Sequence, residues 1–446
     1  MKLIARDHSR RLLSLLSVLS VLSVPTALAV LAVGCVGASD PTELVPDPPA
    51  DPLADPPAAA GTEIVFTAYP ADVLARDGGS TDVGFVAVQD GDGPWQVVTG
   101  QNGVYKARVQ NKRYGVAVGC KGHRQGNSPS TYSGVDVMLT TTDESTALNS
   151  YSCYTPAAPK VVTGSVTGET GTDLAEVQVS SFERLQPAET RTFSFHAPTR
   201  RLSVFGITRP VGSSSSSPSR VVRAPDVDTA VTSSVNVDFS QSMELATQPL
   251  TLATRPGTVT VSSGVYSNND LYVQARGTAT SYRVVPASML NAGDLIRVSA
   301  THTTDDLGWE ISNLFLAQPA PASIGFGQPL TAAAPSFPAG AQRLPVFSFT
   351  AGGATLANVS YDAVASTSTE TQERSLHVSL SRGWLGGDRA VSYSFPDLSG
   401  IAGWQDSMAL HPGEVNWTVA RGERSARVVV AGSTSYSVGR TGVVIN

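Results

Sequence analysis

Apolar and polar residues alternate one by one in segment after segment from Thr62 to the C-terminus. In SLHVSLS, the apolar residues Leu376, Val378 and Leu380 fall on one side, and the serines and the histidine between them fall on the other. The segment EVNWTV, which ends at Val419, repeats this pattern. A period of two is that of a half-buried antiparallel strand, whereas an amphipathic helix repeats every 3.6 residues. The chain is therefore predicted to be all-β.

The chain of 446 residues is longer than the roughly 250–300 residues at which a single hydrophobic core stops growing. Turn-forming runs such as DGDG and LGGD separate the alternating segments at short intervals, as in antiparallel β-sandwiches. The composition changes at YTPAAPK, at TRPG and at a Pro/Ala-rich stretch. We predict four tandem sandwiches of the immunoglobulin-like or transthyretin-like kind, at residues 62–158, 159–255, 256–342 and 343–446.

The N-terminal segment has the layout of a secretory signal. Residues 1–11 are basic, and residues 12–34 are apolar with interspersed serines. The apolar stretch is also long enough for a membrane-spanning signal anchor, which needs roughly 20 residues. Pro25 in its middle and the small residues at its end favour a cleaved signal peptide comprising residues 1–34.

The apolar stretch ends in AVGC, residues 32–35, which resembles the lipobox of bacterial lipoproteins. Ala32 stands where that family prefers Leu. The resemblance implies cleavage after Gly34, a diacylglyceryl group on Cys35 and acylation of the new amino terminus; the alternative is ordinary cleavage nearby with a free thiol. Such a protein is expected in the cell envelope, anchored to the membrane by its lipid. Because Val36 rather than Asp follows the cysteine, the family's sorting habit implies the outer membrane in a Gram-negative cell.

Residues 35–61 are rich in Pro, Asp and Ala and contain no Lys or Arg. A segment of this composition buries too little apolar surface to offset the entropy of ordering the chain, and its prolines keep it extended. In polyproline geometry, at about 3.1 Å per residue, it could lift the first sandwich roughly 80 Å from the membrane. We expect a disordered tether.

The chain contains three cysteines. An unpaired thiol is a liability in an oxidising compartment, and lipidation of Cys35 would leave Cys120 and Cys153 to pair. Cys120 shares a strand face with Val116 and Val118, so it is expected to point into a core. The sequence thus predicts one disulfide, between Cys120 and Cys153.

Part of the second predicted sandwich resembles a known repeat. Residues 161–207 open with VTGSVTG, continue with AEVQVSS and end with RTFSFHAP and RLSVFG, and in this they are similar to the carboxypeptidase-regulatory-like or transthyretin-like repeat. The resemblance implies a small seven-stranded sandwich, which in that family is commonly an accessory module rather than the catalytic one.

The charge of the chain bears on its partners. The formal net charge is −6, and the leader contributes +3 to it, so the mature chain would carry −9. Binding to a nucleic-acid backbone needs clustered Lys and Arg, so nucleic acid is not expected as a partner.

Two aspartates in QDGDGPW suggest a calcium site, because Asp90 and Asp92 offer hard oxygen ligands. An EF-hand would need a Glu at its twelfth position, where this chain has Gln101, so a hairpin turn followed by a core Trp95 is the favoured interpretation. The aspartates of APDVDT and NVDF could surround calcium only if the two strands pair, and solvated strand faces are favoured there too. No metal or other cofactor is expected.

Catalytic motifs are not found in the sequence. There is no G-x-S-x-G elbow and no H-E-x-x-H pair, and no two histidines of the mature chain stand at zinc-ligand spacing. His302 continues the apolar face of its strand, so a buried histidine bonded to the backbone is expected there. We therefore predict a protein that is not an enzyme. The alternative is an envelope hydrolase with an unrecognised site.

Two tryptophans stand beside glycines in apparent loops, Trp384 in SRGWLGGD and Trp404 in IAGWQDS. An exposed indole could stack on a sugar ring or anchor a protein partner, whereas Trp95 and Trp417 indicate that the chain also uses Trp as core filler. The overall prediction is a lipid-anchored envelope protein that acts as a non-enzymatic binding or scaffolding module toward envelope proteins or glycans. The first alternative is a glycan-binding adhesin that uses these two rings.

Overall fold

The computed structural model describes residues 61–68, 80–124, 131–150, 153–155, 160–168, 173–179, 184–185, 191–197, 201–210, 217–232, 234–268, 270–304, 308–339 and 343–446. The regular secondary structure of this part of the chain is almost entirely β-strand, as the sequence predicts. Its one α-helix is the single turn Arg382–Leu385, here α1, and it has three 3₁₀ turns, at Phe239–Gln241, Ala287–Met289 and Asp406–Met408. None of the helices in these ranges has the length and apolar character that a membrane crossing requires.

The strands fall into four units, which we define by their sheets. The first unit, residues 61–155, contains β1 (Thr62–Thr67), β2 (Ser80–Thr81), β3 (Val83–Asp90), β4 (Gln96–Val97), β5 (Gly100–Gln101), β6 (Val104–Val109), β7 (Arg113–Arg124), β8 (Thr131–Thr141), β9 (Ala147–Asn149) and β10 (Tyr154–Thr155). The second unit, residues 160–244, contains β11 (Lys160–Thr167), β12 (Leu174–Gln178), β13 (Arg184–Leu185), β14 (Thr192–Ala197), β15 (Arg201–Arg209), β16 (Arg220–Asp228), β17 (Ser234–Asp238) and β18 (Met243–Glu244).

The other two units complete the chain. The third unit, residues 246–324, contains β19 (Ala246–Leu252), β20 (Thr258–Ser267), β21 (Asp270–Arg276), β22 (Ser281–Val284), β23 (Leu295–Thr303), β24 (Gly308–Leu316) and β25 (Ala322–Ile324). The fourth unit, residues 332–446, contains β26 (Ala332–Ser336), β27 (Val346–Ala351), β28 (Asn358–Ser368), β29 (Gln372–Ser381), β30 (Arg389–Ser394), β31 (Glu414–Arg424) and β32 (Thr434–Ile445).

Three of the four units share one sheet. It has twelve strands in the order β21-β20-β23-β24-β32-β31-β28-β29-β8-β7-β3-β4, so the third, fourth and first units follow one another across it. The third and fourth units meet where β24 pairs antiparallel with β32, and the fourth and first meet where β29 pairs parallel with β8. An edge strand carries unpaired backbone donors and acceptors, and pairing between units satisfies them.

At two places, strand pairing sets the boundary between units earlier in the chain than the composition predicts. β19 pairs with β22 and β25, so residues 246–252 lie with the third unit, before the predicted boundary at residue 256. β26 pairs with β27, so residues 332–336 lie with the fourth unit, before the predicted boundary at residue 343.

Each face of the shared sheet packs against a different set of smaller sheets. We call one side the core face. It carries Val137, Val378 and Val419, which are fully buried under the sheet β26-β27-β30, and in the third unit it packs against β22-β19-β25. The opposite side is called the second face. In the first unit the sheet β5-β6-β1-β9 covers it over Val116 and Val118, so β7 is buried on both sides.

The second unit is a sandwich of its own. Its sheets, β14-β11-β17 and β13-β12-β15-β16-β18, enclose a core that includes Val162, Val177, Phe195 and Val204. Short chain segments that alternate with period two can bury one face in this way without a helix. The resemblance of this region to the transthyretin-like repeat stays a prediction.

The predicted cysteine pair is at bonding distance in the first unit. The sulfurs of Cys120 and Cys153 are 2.09 Å apart, the Cα atoms are 5.0 Å apart, and both residues are buried. In the chain-entropy treatment, closing a loop of 33 residues stabilises the folded state by about 3–4 kcal/mol. Cys120 is on β7 and lies directly opposite Gly134 of β8. The disulfide therefore anchors β7, the strand with which β8 pairs.

Candidate functional site

Both tryptophans predicted as a ligand surface are half-buried against the core of the fourth unit. Trp384, on α1, meets Tyr393 edge-on at 6.0 Å between ring centroids, and the guanidinium of Arg113 lies 5.8 Å from its ring. Trp404 packs beside Phe85, with 6.4 Å between centroids. Arg113 and Phe85 belong to the first unit. The two rings therefore lie where the first and fourth units meet, and not side by side on an open surface.

This contact between the first and fourth units, which we call the seam, is built on nine parallel residue pairs between β8 and β29. Its backbones approach closely at Gly134, where an added Cβ would lie 2.2 Å from the carbonyl oxygen of Ser375. Glycine is needed there for space. A side chain on β8 at this point would push the two strands apart.

On the core face, the seam is apolar. Side chains from both strands are at most 2% exposed: Val135, Val137, Leu139, Leu376, Val378 and Leu380. Burying an aliphatic side chain of this kind contributes about 1.5–3 kcal/mol relative to leaving it in water. The structure thus confirms that the apolar residues of SLHVSLS share one buried face.

On the second face, the seam carries a charged cluster. His377 of β29 lies between two carboxylates, with Nδ1 3.4 Å from Oδ1 of Asp136 and Nε2 3.3 Å from Oδ1 of Asp362. The carboxylate side chains are only 8% and 7% exposed, and the imidazole is 26% exposed. Only the protonated ring can donate to both partners at once.

Electrostatics at this cluster favour the imidazolium. Burial by itself would lower the pKa of His377, but the hydrogen bonds and the charges of Asp136 and Asp362 outweigh it and raise the pKa to about 10. Asp136 belongs to the first unit and Asp362 to the fourth. The charged histidine thus ties together strands from two units.

A second polar contact crosses the seam at α1. Glu144, from the first unit, accepts a hydrogen bond at 2.7 Å from the backbone N–H of Gly383 and another from the hydroxyl of Ser381. The hydroxyl of Thr141 donates to the same carboxylate at 2.9 Å. A carboxylate at the first turn of a helix satisfies backbone donors that have no partner within the helix. The first unit therefore caps the helix of the fourth.

The third and fourth units meet over a buried group of charged residues. Nε of Arg421 lies 2.8 Å from Oε1 of Glu423, and both side chains are at most 1% exposed. The neighbouring pair joins Arg255 to Glu310, with 3.2 Å between Nε and Oε2. His302 is 3% exposed, and its Nε2 lies 2.6 Å from the carbonyl oxygen of Pro256, as the sequence predicts.

The Arg421–Glu423 pair also holds two loops. Arg421 donates to the carbonyl oxygens of Gln328, at 2.7 Å, and Gly352, and Oε2 of Glu423 accepts from the backbone N–H of Thr355 at 2.6 Å. A buried ion pair is stable only when further hydrogen bonds satisfy its remaining atoms, and these loops supply them.

The second and third units are joined by side chains rather than by a shared sheet. Nη2 of Arg223 lies 2.9 Å from Oδ1 of Asp226, and Nη1 also binds Asp294 of the third unit. Burial would raise the pKa of Asp226, but Arg223 outweighs it and the pKa is lowered. Across the same contact, the backbone N–H of Val273 donates to Oε1 of Gln178 at 2.7 Å. We call this contact the second–third junction.

The aspartates considered for calcium make local hydrogen bonds. The carboxylate of Asp90 accepts from the backbone N–H groups of Gln110 and Asn111, each at 2.8 Å, and so joins the end of β3 to the loop before β7. The hairpin predicted at this point is formed by β3 and β4. β16 and β17, which carry the other candidate aspartates, lie in different sheets. Asp238 accepts from the N–H of Ser240 at 3.0 Å. Within the described ranges, no three His, Cys, Asp or Glu side chains are grouped as metal ligands.

The buried charged residues could have been recognised from their positions in the sequence pattern. Arg421 and Glu423 continue the period-two face of Val419, which places them in the core, yet charged residues are usually read as solvated. Asp136 interrupts an apolar run in the same way. A charge in a core-facing register, or inside an apolar strand, indicates a paired buried charge.

Comparison with known families finds no match for this chain, and neither does comparison with curated proteins. The predicted signal peptide and residues 35–60 of the predicted tether, with Cys35, lie outside the described residues. The functional argument therefore starts from the seam and the two further contacts between units.

Proposed function

We propose that this protein is a non-enzymatic scaffold of the bacterial cell envelope, held at the membrane by a lipid on Cys35 and lifted from it by residues 35–61. The lipobox-like sequence and the proline-rich composition support the anchor and the tether. The continuous sheet of the first, third and fourth units supports the scaffold.

The shared sheet is the observation that carries the proposal. Domains joined by flexible linkers move independently, whereas strands that pair across a contact fix the angle between the domains. Twelve strands at about 4.8 Å each span roughly 50 Å along the hydrogen-bond direction. Binding surfaces on the first and third units would thus be held at a constant separation and orientation.

The partners of such a scaffold would be other envelope components, proteins or glycans. The acidic mature chain, without clustered Lys and Arg, disfavours nucleic acid as a partner. Trp384 and Trp404 contact the first unit, so we do not assign partner binding to them.

The anchor is tested by feeding cells a labelled fatty acid. The wild-type chain and a Val36→Ala control should take up label, and Cys35→Ser should not. Label that persists in Cys35→Ser would refute lipidation at this residue.

The scaffold is tested by crosslinking the native protein in its own cells and identifying the captured envelope components. The same captures should be lost from a variant with a broken seam, Gly134→Ala, and retained by Gly122→Ala, whose added Cβ would come no closer than 3.9 Å to another atom. Captures that survive the loss of the seam would contradict a scaffold of fixed geometry.

A further inference from the structure

Arg297, in the third unit, carries a positive charge with no counter-charge among the described residues. Arg297 lies on β23 and faces the second face of the sheet, where it is half-buried. Its Nε atom is shielded from solvent and makes no hydrogen bond, and no side chain among the described residues forms an ion pair with it. A buried cation without a counter-charge is costly, so it is retained where something else supplies the charge.

Burial lowers the pKa of Arg297 to about 10, so the guanidinium keeps its proton at neutral pH. No carboxylate of the described residues contributes to this pKa shift. The missing anion is therefore sought in a ligand.

The surroundings of Arg297 are aromatic on one side. Phe315 of β24 lies directly across the strand pair from Arg297. Its ring meets the ring of Tyr266 edge-on, with 5.9 Å between centroids. Tyr266 is half-buried.

On the other side, small polar residues form a row. Directly paired positions on four consecutive strands are occupied by Ser262, Ser299, Asn313 and Ser435, one diagonal step from Arg297. Asn313 donates to the hydroxyl of Ser435 at 3.0 Å, and its own Oδ1, which is shielded from solvent, has no hydrogen-bond partner. The row repeats at the strand spacing of about 4.8 Å. Ser299 is buried, whereas Ser262, Asn313 and Ser435 are half-buried and carry groups that can hydrogen-bond to sugar hydroxyls.

We propose that Arg297 and this row form a binding site for an acidic sugar polymer, with a sugar carboxylate on the guanidinium and sugar hydroxyls along the row. A guanidinium binds a carboxylate through parallel hydrogen bonds, and hydroxyl and amide side chains can hydrogen-bond to sugar hydroxyls. The half-buried ring of Tyr266 would pack against a ring of the sugar. This inference deepens the binding part of the proposed function, but it requires neither lipidation nor an envelope location.

The test measures thermal stabilisation of the full-length protein by three probes: a galacturonate trimer, the neutral trimer maltotriose, and acetate. The galacturonate trimer should raise the melting temperature, acetate should do so only weakly, and maltotriose should have no effect. Because hydrogen bonds to charged groups are strong, Arg297→Met should weaken binding of the acidic trimer by roughly tenfold or more. Arg389→Met, which removes an exposed arginine from β30 in a different sheet, should leave binding unchanged.

Asn313→Ala tests the contribution of the polar row to binding separately from that of the arginine charge. It should weaken binding of the galacturonate trimer several-fold and leave the acetate response unaltered. Equal responses of wild type and Arg297→Met to the acidic trimer would overturn the proposal, and so would a failure of Arg297→Met to fold, because an unpaired arginine has no structural partner to lose. If the wild-type protein took up no fatty-acid label in cells, lipidation would be refuted, but the expected results of these binding measurements would not change.

Discussion

The seam and the second–third junction join units by different means. At the seam, β8 and β29 share nine backbone pairs, and buried aliphatic side chains on the core face continue from one unit into the next. At the second–third junction, no strand of one unit pairs with a strand of the other among the described residues, and side chains make the contact. They comprise the ionic and polar group around Arg223 and an apolar group in which Phe205, Ile207 and Val221 of the second unit pack into the core of the third. Backbone pairing fixes geometry along a whole strand, whereas a side-chain contact fixes it at a few points. The second unit is therefore expected to be less tightly coupled than the other three.

The largest effect is expected at the second–third junction. Arg223→Met leaves Asp294 buried without its cation and leaves Asp226 with only the exposed Arg201, and removal of one partner of a buried ion pair typically costs about 3–5 kcal/mol. Chemical denaturation should show this loss mainly in a transition assigned to the second unit.

A matched control exists on the same carboxylate. Arg201 also contacts Asp226, at 3.3 Å, but its side chain is 68% exposed. Exposed pairs contribute about 0–1 kcal/mol, so Arg201→Met should change the free energy of unfolding by less than about 1 kcal/mol. Equal effects of the two substitutions would mean that burial of Arg223 does not matter.

The next effect is expected at the seam. Gly134→Ala places a Cβ 2.2 Å from a backbone oxygen of β29, which cannot move aside as a side chain can. We expect a loss of about 3 kcal/mol, measured in a single transition shared by the first and fourth units. Gly122→Ala on β7 should cost little, and a loss confined to the first unit in Gly134→Ala would contradict the coupling.

His377 provides a pH test of the seam. Its folded pKa, about 10, lies above the ordinary value of 6.5, so the stability it contributes is complete below pH 6.5 and is lost as the pH rises toward 10. The difference in free energy of unfolding between wild type and His377→Gln should therefore be about 1–3 kcal/mol at pH 6 and should shrink toward pH 10.

The control for this pH dependence is His411→Gln. Burial lowers the pKa of His411, so its charge changes below pH 6.5 and this variant should show no trend between pH 6.5 and 10. A wild-type advantage over His377→Gln that stays constant across this window would show that the imidazolium does not hold the seam.

The smallest effect is expected for Trp384→Phe. The substitution keeps an aromatic ring against Tyr393 but weakens the contact with Arg113, which contributes about 0.5–1 kcal/mol at a partly exposed position. A stability change of that size, seen together in the first and fourth units, would confirm that this ring serves the seam.

Pattern reading of the sequence predicted the strands and much of the core. The alternation placed Val415, Trp417 and Val419 on one buried face, and the structure confirms it because a strand exposes successive side chains to opposite sides. The same reasoning placed Cys120 in a core, where it lies next to Cys153.

The joining of units could not be predicted from periodicity. A period of two shows which face of a strand is buried, but it does not show which strand pairs with it, and β8 and β29 are far apart in the sequence. The tryptophans illustrate the limit: their glycine-flanked context indicated loops, and only the fold shows that Trp384 and Trp404 contact Arg113 and Phe85.

The central claim is that the first and fourth units form one sheet through β8 and β29, and amide hydrogen exchange of the full-length protein tests it most directly. A continuous sheet predicts that peptides covering residues 131–141 and 372–381 exchange as slowly as those of β7, and that both become faster together in Gly134→Ala. Fast exchange of these two segments in the wild-type protein, as for unpaired edge strands, would contradict it.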